Sequence, residues 1–208
     1  MNEIEDTGLR PKILSAARLL LLEDGIQGLS MRKIAAEIGC KAPSIYYHFA
    51  NKDDLIHALI DEGYNRFYEH LSHAQMGLTH PLEKLETNLR AYIDFGTENP
   101  EYYEIMYLLH TEKLKRFPKD RYRKTRRLLT LGADILRECM DGGYVRNVTD
   151  PELTTTTVGA MLHGYLTIVR YNRLDARIDR QQMLEELIQG VLRSVGAQDR
   201  DAADLPVQ

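Results

Sequence analysis

Four cations, Arg32, Lys33, Lys41 and Lys52, stand against the single acid Glu37 between Ser30 and Lys52, in a chain whose net charge is −4. The contrast is modest. A protein that binds nucleic acid needs charge near the phosphates rather than over the whole chain. Side chains of the right kind fill the same stretch. Tyr46, Tyr47 and His48 follow one another on what reads as a short exposed helix, where hydroxyls and an imidazole can meet phosphates and base edges. Lys52 is the sharper signal. It falls at the start of a further helix, where the backbone dipole disfavours a cation. A phosphate at that position removes the conflict, because the ammonium and the free N–H groups would both bind it.

The elements that carry these side chains follow from capping and apolar spacing. Ser30 is of a type that N-caps a helix, predicted from Met31 to Ile38 and ended by Gly39. A second helix fits Ala42 to His48, with Pro43 tolerated in its first turn. Ile34, Ala35 and Ile38 form the inner face of one; Ile45 and Phe49 form that of the other. Ala35 is small, as a close helix crossing requires. This arrangement is a helix-turn-helix, whose second helix enters the major groove. A purely structural hairpin leaves Lys52 and the exposed tyrosines unexplained. Ahead of it, Ile13, Ala16, Ala17, Leu20 and Leu21 repeat at helical spacing up to a terminating Gly25.

Nearly every other segment also reads as helix. Asn51 caps a fourth, with Asp53 and Asp54 in its first turn, running to about Leu71. Residues 72–80 form a joint. A fifth helix opens at Pro81 and lines one side with Leu82, Leu85, Leu89, Tyr92 and Ile93. Asn99-Pro100-Glu101 is a stop and restart by a cap residue, a proline and an acid; the sixth helix is predicted over Pro100–Leu109. A polar loop to about Pro118 precedes a seventh helix, from about Asp120 to Met140. Asp150-Pro151-Glu152 opens an eighth, to about Asn172, whose Thr154–Thr157 run has poor propensity and needs packing to hold it. A ninth fits Asp179 to Val195, and a polar tail, 198–208, follows. The fold class is all-α with about nine helices: a three-helix DNA-binding domain at 1–52 and a larger helical domain at 53–197, joined by the fourth helix.

In these features the chain resembles the TetR family of one-component transcriptional regulators. The resemblance rests on the first helix ending in Gly25, Ser30 through Gly39, Ser44-Ile45-Tyr46-Tyr47-His48-Phe49, and Asn51-Lys52-Asp53-Asp54-Leu55. These cover about the first quarter of the chain, and beyond them the likeness is mainly architectural. By position, it implies that Arg32 is a candidate base contact, since arginine pairs well with guanine. Ala42, Pro43 and Ser44 would face base edges or methyl groups. Ser30, Tyr46 and Lys52 would hold phosphates, His48 phosphate or base, and Lys41 and Tyr47 complete the outward face. Cys40 falls where the family has a small apolar residue and reads as a buried thiol.

The family's operator is a palindrome read by a homodimer. The eighth helix offers Val158, Gly159, Ala160, Gly164 and Leu166 for close approach, and the ninth an apolar stripe of Met183, Leu184, Leu187, Ile188, Val191 and Leu192. A monomeric core stripe is the plain alternative. The middle helices should hold a small-molecule effector. Tyr92, Phe95, Tyr102, Tyr103, Met106 and Tyr107 form a dense aromatic group, and His163 adds a polar contact. Ordinary core packing explains any one of these tyrosines as well. Lys113, Lys115, Arg116, Lys119, Arg121, Arg123, Lys124, Arg126 and Arg127 follow, against Glu112 and Asp120. Such a run is usually a solvated face; otherwise it suits an amphipathic or anionic effector such as an acyl-coenzyme A.

The function expected is a ligand-responsive regulator, a repressor in the family's commoner mode, that binds double-stranded operator DNA. A sensor acting through a protein partner and a metal-dependent enzyme are the alternatives. No catalytic or metal residue is assigned: the two cysteines lack CxxC spacing, and GxSxG, P-loop and HExxH motifs are absent. His70 and His73 have i, i+3 spacing but no accompanying acid, and read as two surface histidines. No cofactor is expected. The acidic, polar start lacks the pattern of a signal peptide and no apolar run suits a bilayer, so a cytoplasmic location is expected.

Overall fold

The computed structural model describes residues 8–108 and 119–198, with backbone alone at 108 and 119–124. Its helices are α1 (Leu9–Gly28), α2 (Met31–Glu37), α3 (Ala42–His48), α4 (Lys52–Ala74), α5 (Pro81–Glu98), α6 (Pro100–Tyr103), α7 (Lys119–Asp141), α8 (Pro151–Arg170) and α9 (Arg180–Ser194). No strand occurs among the described residues. None of their helices is long and apolar enough to cross a membrane.

The helix starts obey the capping residues. Ser30 accepts from Lys33 N, Asp150 from Leu153 N at 2.9 Å and Asp179 from Gln182 N at 2.7 Å, each satisfying a donor the helix itself leaves open. Asn51 Oδ1 accepts from Asp54 N at 2.9 Å, while Asp54 Oδ2 accepts from Ala50 N at 3.0 Å. Asn99 departs from its expected role: it offers its backbone carbonyl to Tyr103 N, and its side chain does not cap α6. The sixth helix also departs from Pro100–Leu109, because it is α-helical only to Tyr103 and π-helical over Glu104–Leu108. A π turn differs from an α turn only in hydrogen-bond register, and residue spacing gives no warning of it. The threonines of α8 are held less by packing than expected. Thr155, Thr156 and Thr157 hydroxyls donate back to the carbonyls of Pro151, Glu152 and Leu153 at 2.7, 2.8 and 2.9 Å, and Thr156 and Thr157 are exposed.

The described residues pack as two compact units. One draws on Met1–Asn65 and Asn99–Arg121, the other on Arg66–Glu98 and Tyr122–Gln208. The hydrophobic core of the first draws on Ile13, Ala17 and Leu21 from α1, Met31, Ile34 and Ala35 from α2, Ile45 and Phe49 around α3, Leu55, Ile56 and Leu59 from α4, and Ile105. Polar ties from α6 to α1 and α4 meet at Tyr102, which is 2 % exposed. Its hydroxyl donates to Glu62 Oε1 at 2.7 Å and accepts from Arg18, whose guanidinium also lies over the ring.

In the second unit Leu82 and Leu85 of α5 meet Ile135, Leu136 and Cys139 of α7, with Val145, Val148 and Val195 closing the cluster. Burial pushes the Cys139 thiol up to about 12. Gly96 lets α5 approach α8 closely, since a Cβ there would fall 2.5 Å from Leu166 Cδ1. Arg90 ties α5 to α9 by holding Glu86 at 2.9 Å and Glu185 at 2.8 Å.

Candidate nucleic-acid interface

Two glycines shape the segment that carries the candidate contacts. At Gly25 the backbone takes φ +66°, a left-handed conformation that suits glycine, and breaks the regular helix inside α1. Gly39 does the same after α2 with φ +70°. Cys40 N then donates to Ala35 O at 2.9 Å, and Ser44 N to Lys41 O at 2.9 Å, so α3 begins at once. Ile34 and Ile45 are fully buried and Phe49 is 2 % exposed. These inner faces lock α2 against α3, and the opposite faces are left to solvent.

On the open side Arg32, Lys41, Pro43, Tyr46 and Tyr47 are exposed, the two tyrosines by 54 % and 79 %. Ser30 is exposed too, with its hydroxyl occupied by the α2 cap. Ser44 and His48 are half-buried, and the His48 ring meets Tyr47 edge-on at 5.3 Å. Ala42, expected to face base edges, is half-buried and packs against the core of its unit. Cys40 also packs there but is half-buried rather than enclosed.

Two of the cations have internal partners. Lys33 pairs with Asp24. The Lys52 ammonium donates to the carbonyl of Ile26, close to the break in α1. Its expected conflict with the α4 dipole is therefore eased partly within the chain. The start of α1 adds a cation that reading from Ser30 onward missed: the Arg10 guanidinium sits 5.1 Å from the Phe49 ring centroid, beside the end of α3. The only sequence signal was a basic pair, Arg10 and Lys12, at the opening of the first helix.

The candidate effector residues fall into the two units. Tyr103 is fully buried, and its ring lies 4.9 Å from that of Tyr107, which meets Tyr64 at 6.3 Å. Met106 packs on Gly63, where a Cβ would come 2.7 Å from its sulfur. These residues belong to the first unit. In the second, Phe95 stacks on Phe67 at 4.5 Å, and Tyr92 meets Phe67 edge-on at 5.0 Å. His70 lies against Phe95 at 5.7 Å and is half-buried, which corrects its reading as a surface histidine; His73 is exposed. His163 is half-buried, and burial lowers its pKa below the usual histidine range, which favours the neutral ring.

Of the basic run, Lys113, Lys115 and Arg116 lie outside the described residues, as do the side chains of Lys119, Arg121, Arg123 and Lys124. Arg126 and Arg127 are exposed, and the Arg127 guanidinium stacks 3.6 Å from the Tyr68 ring centroid. The polar tail beyond Gln198 and the loop ending at Pro118 are outside the described residues as well.

The stripes expected to join two subunits divide between core and surface. Leu166, Ile188 and Val191 are buried in the chain itself. Leu153 and Met161 on α8 are 64 % and 45 % exposed, Ala160 is exposed, and a Cβ on Gly159 or Gly164 would meet nothing.

Two family profiles match the chain. The profile described as "Bacterial regulatory proteins, tetR family" matches residues 13–59, and that of "Tetracyclin repressor-like, C-terminal domain" matches residues 85–191. The chain belongs to the TetR family. Among TetR-family relatives, the class D tetracycline repressor of Escherichia coli is 39 % identical over 61 residues, 29 % of this chain and 28 % of the repressor. The chain thus aligns with less than a third of that relative's length. The transcriptional repressor KstR2 of Mycobacterium tuberculosis is 22 % identical over 192 residues, covering 89 % of this chain and 92 % of KstR2. The solved structure of FadR from Bacillus subtilis in complex with stearoyl-CoA shares the fold at TM-score 0.71 and 18 % identity, covering 89 % of this chain and 98 % of FadR.

Proposed function

We propose that this chain is a ligand-responsive transcriptional repressor. Residues 1–52 bind a palindromic operator, residues 53–197 bind an effector and pair two subunits, and effector binding releases the DNA. The observation that carries the reading is the α3 face: Lys41, Tyr46 and Tyr47 point to solvent on a helix whose other face is locked in the core. An exposed face with aromatic hydroxyls and a cation fits phosphate and base-edge contact, and Arg32 on α2 adds a donor suited to guanine.

The exposed residues Leu153, Ala160 and Met161 on α8, beside the unobstructed glycines Gly159 and Gly164, support a homodimer. One α3 reads only a few base pairs, and two on a symmetry axis read a palindrome. The aromatic group around Tyr92 and Phe95, with the cations Arg126 and Arg127, supports an amphipathic anionic effector of the acyl-coenzyme A type; the group around Tyr103, Met106 and Tyr107 is a separate candidate. Such a ligand releases DNA in proportion to its preference for the non-binding state.

Selection of binding sites from random duplex DNA tests the reading, followed by anisotropy titration of the enriched sequence at several salt concentrations. An inverted repeat is expected. Lys41→Ala should weaken its binding across sequences and lower the salt slope by about 1, and Tyr46→Ala should weaken it too. Enrichment of no sequence, or binding that ignores both substitutions, refutes the interface. Operator binding unchanged by bound decanoyl-coenzyme A and stearoyl-coenzyme A refutes the effector class.

A further inference from the structure

Asn88 stands one turn before Tyr92 and two turns before Phe95 on α5, so the three share a face of that helix. The face is inward. Phe95 is 1 % exposed and stacked on Phe67, Tyr92 meets the same ring, and Leu85 and Leu89 are buried to one side. At the centre of this apolar arc the Asn88 Nδ2 is buried and meets no hydrogen-bond acceptor among the described residues.

A buried amide donor without an acceptor destabilises the fold. Leucine has the same branching and the same number of side-chain heavy atoms, has better helix propensity, and is what α5 uses at 82, 85 and 89. The amide is therefore costly for folding, and an acceptor brought in from outside would remove the cost. The acceptor's charge can be argued as well. Both cations of α5 are already held, Lys84, one turn before Asn88, by Glu138 and Arg90 by Glu86 and Glu185. A carboxylate placed at Asn88 would find no free cation on α5, which makes it more costly there than a neutral carbonyl.

We propose that Asn88 is an effector-binding residue whose Nδ2 donates a hydrogen bond to a neutral carbonyl oxygen of an acyl-type ligand, with the ligand's hydrocarbon lying on the rings of Tyr92 and Phe95. This assignment rests on the effector-binding reading above. It deepens that reading by naming the atom that recognises the acyl group. The residue distinguishes an acylated carrier from the same carrier bearing a plain alkyl chain.

The test uses the full chain, the variant Asn88→Leu and two probes: decanoyl-coenzyme A, and S-decyl-coenzyme A, which lacks the carbonyl oxygen. Without probe, Asn88→Leu should melt about 2–4 °C higher than wild type, the shift expected at this chain length for removing one unsatisfied donor. Wild type should bind the thioester roughly tenfold more tightly than the thioether by calorimetry, and the variant should bind the two alike. A variant that melts lower than wild type overturns the proposal, because exchanging the amide for an apolar side chain then brings no gain in stability. Wild type that binds both probes equally also overturns it, as does a variant that still discriminates between them. If neither probe binds, the acyl-coenzyme A reading of the effector falls, and the melting comparison decides the state of the amide. If the thioester binds through Asn88 but leaves operator affinity unchanged, ligand-responsive repression falls and the assignment of Asn88 stands.

Discussion

Removing the Tyr102 hydroxyl tests whether α6 is tied to α1 and α4 by polar bonds or by packing alone. Tyr102→Phe keeps the ring, which is 2 % exposed, and keeps the Arg18 guanidinium over it at 4.5 Å. It deletes two hydrogen bonds to charged groups, the donation to Glu62 Oε1 at 2.7 Å and the acceptance from Arg18. Hydrogen bonds to charged groups contribute about 1.5–3 kcal/mol each when buried. Both partners are half-buried, so water recovers part of that loss. A net cost of about 2 kcal/mol follows, which lowers the melting temperature by roughly 4–8 °C at this length. Urea unfolding followed by far-ultraviolet circular dichroism measures it. A double-mutant cycle with Glu62→Ala isolates the hydroxyl–carboxylate bond, with an expected coupling of about 1 kcal/mol. A Tyr102→Phe cost below about 0.5 kcal/mol, the ordinary scatter of surface substitutions, would refute the reasoning and leave apolar packing as the link.

Two further predictions concern the core and the turn. Gly39→Ala forces a side chain into φ +70° and should cost about 1–2 kcal/mol; thermal melting checks it, and an unchanged midpoint would mean the turn relaxes. Cys139 is fully buried with its thiol pushed up to about 12, so at pH 8 it stays protonated and should react with Ellman's reagent only on unfolding, while half-buried Cys40 reacts in the native protein; two fast thiols would contradict that burial.

The helices were legible because their starts are local. Ser30, Asn51, Asp150 and Asp179 each bond an amide three residues on, and apolar spacing shows where each helix faces. The helix-turn-helix was legible for the same reason: Gly39 between two short apolar stripes is a pattern contained within twenty residues. Tertiary ties were not legible. Nothing near Tyr102 in sequence marks Arg18, 84 positions away, as its partner, and its aromatic type suggested a pocket wall as readily as a polar anchor. Residues 88, 92 and 95 carry a periodic signal, but reading them as a stripe of rings and leucines passes over the asparagine among them. An orphan donor shows only once its surroundings are known.

Lys52 marks the same boundary inside the candidate interface, and it decides which substitutions are informative there. From the sequence, its cation at the head of α4 called for a phosphate. In the structure one of its three N–H donors serves the Ile26 carbonyl, which leaves two for an anion. Removing Lys52 therefore takes away an internal tie as well as a phosphate donor, and weaker DNA binding by Lys52→Ala could come from a loosened α1 as easily as from a lost contact. Lys41 and Tyr46 have no such double role: both are exposed, and neither side chain makes an internal hydrogen bond among the described residues. A loss of operator affinity at those two positions, with unchanged thermal stability, speaks for contact with DNA alone, and they are the positions on which the interface should be judged.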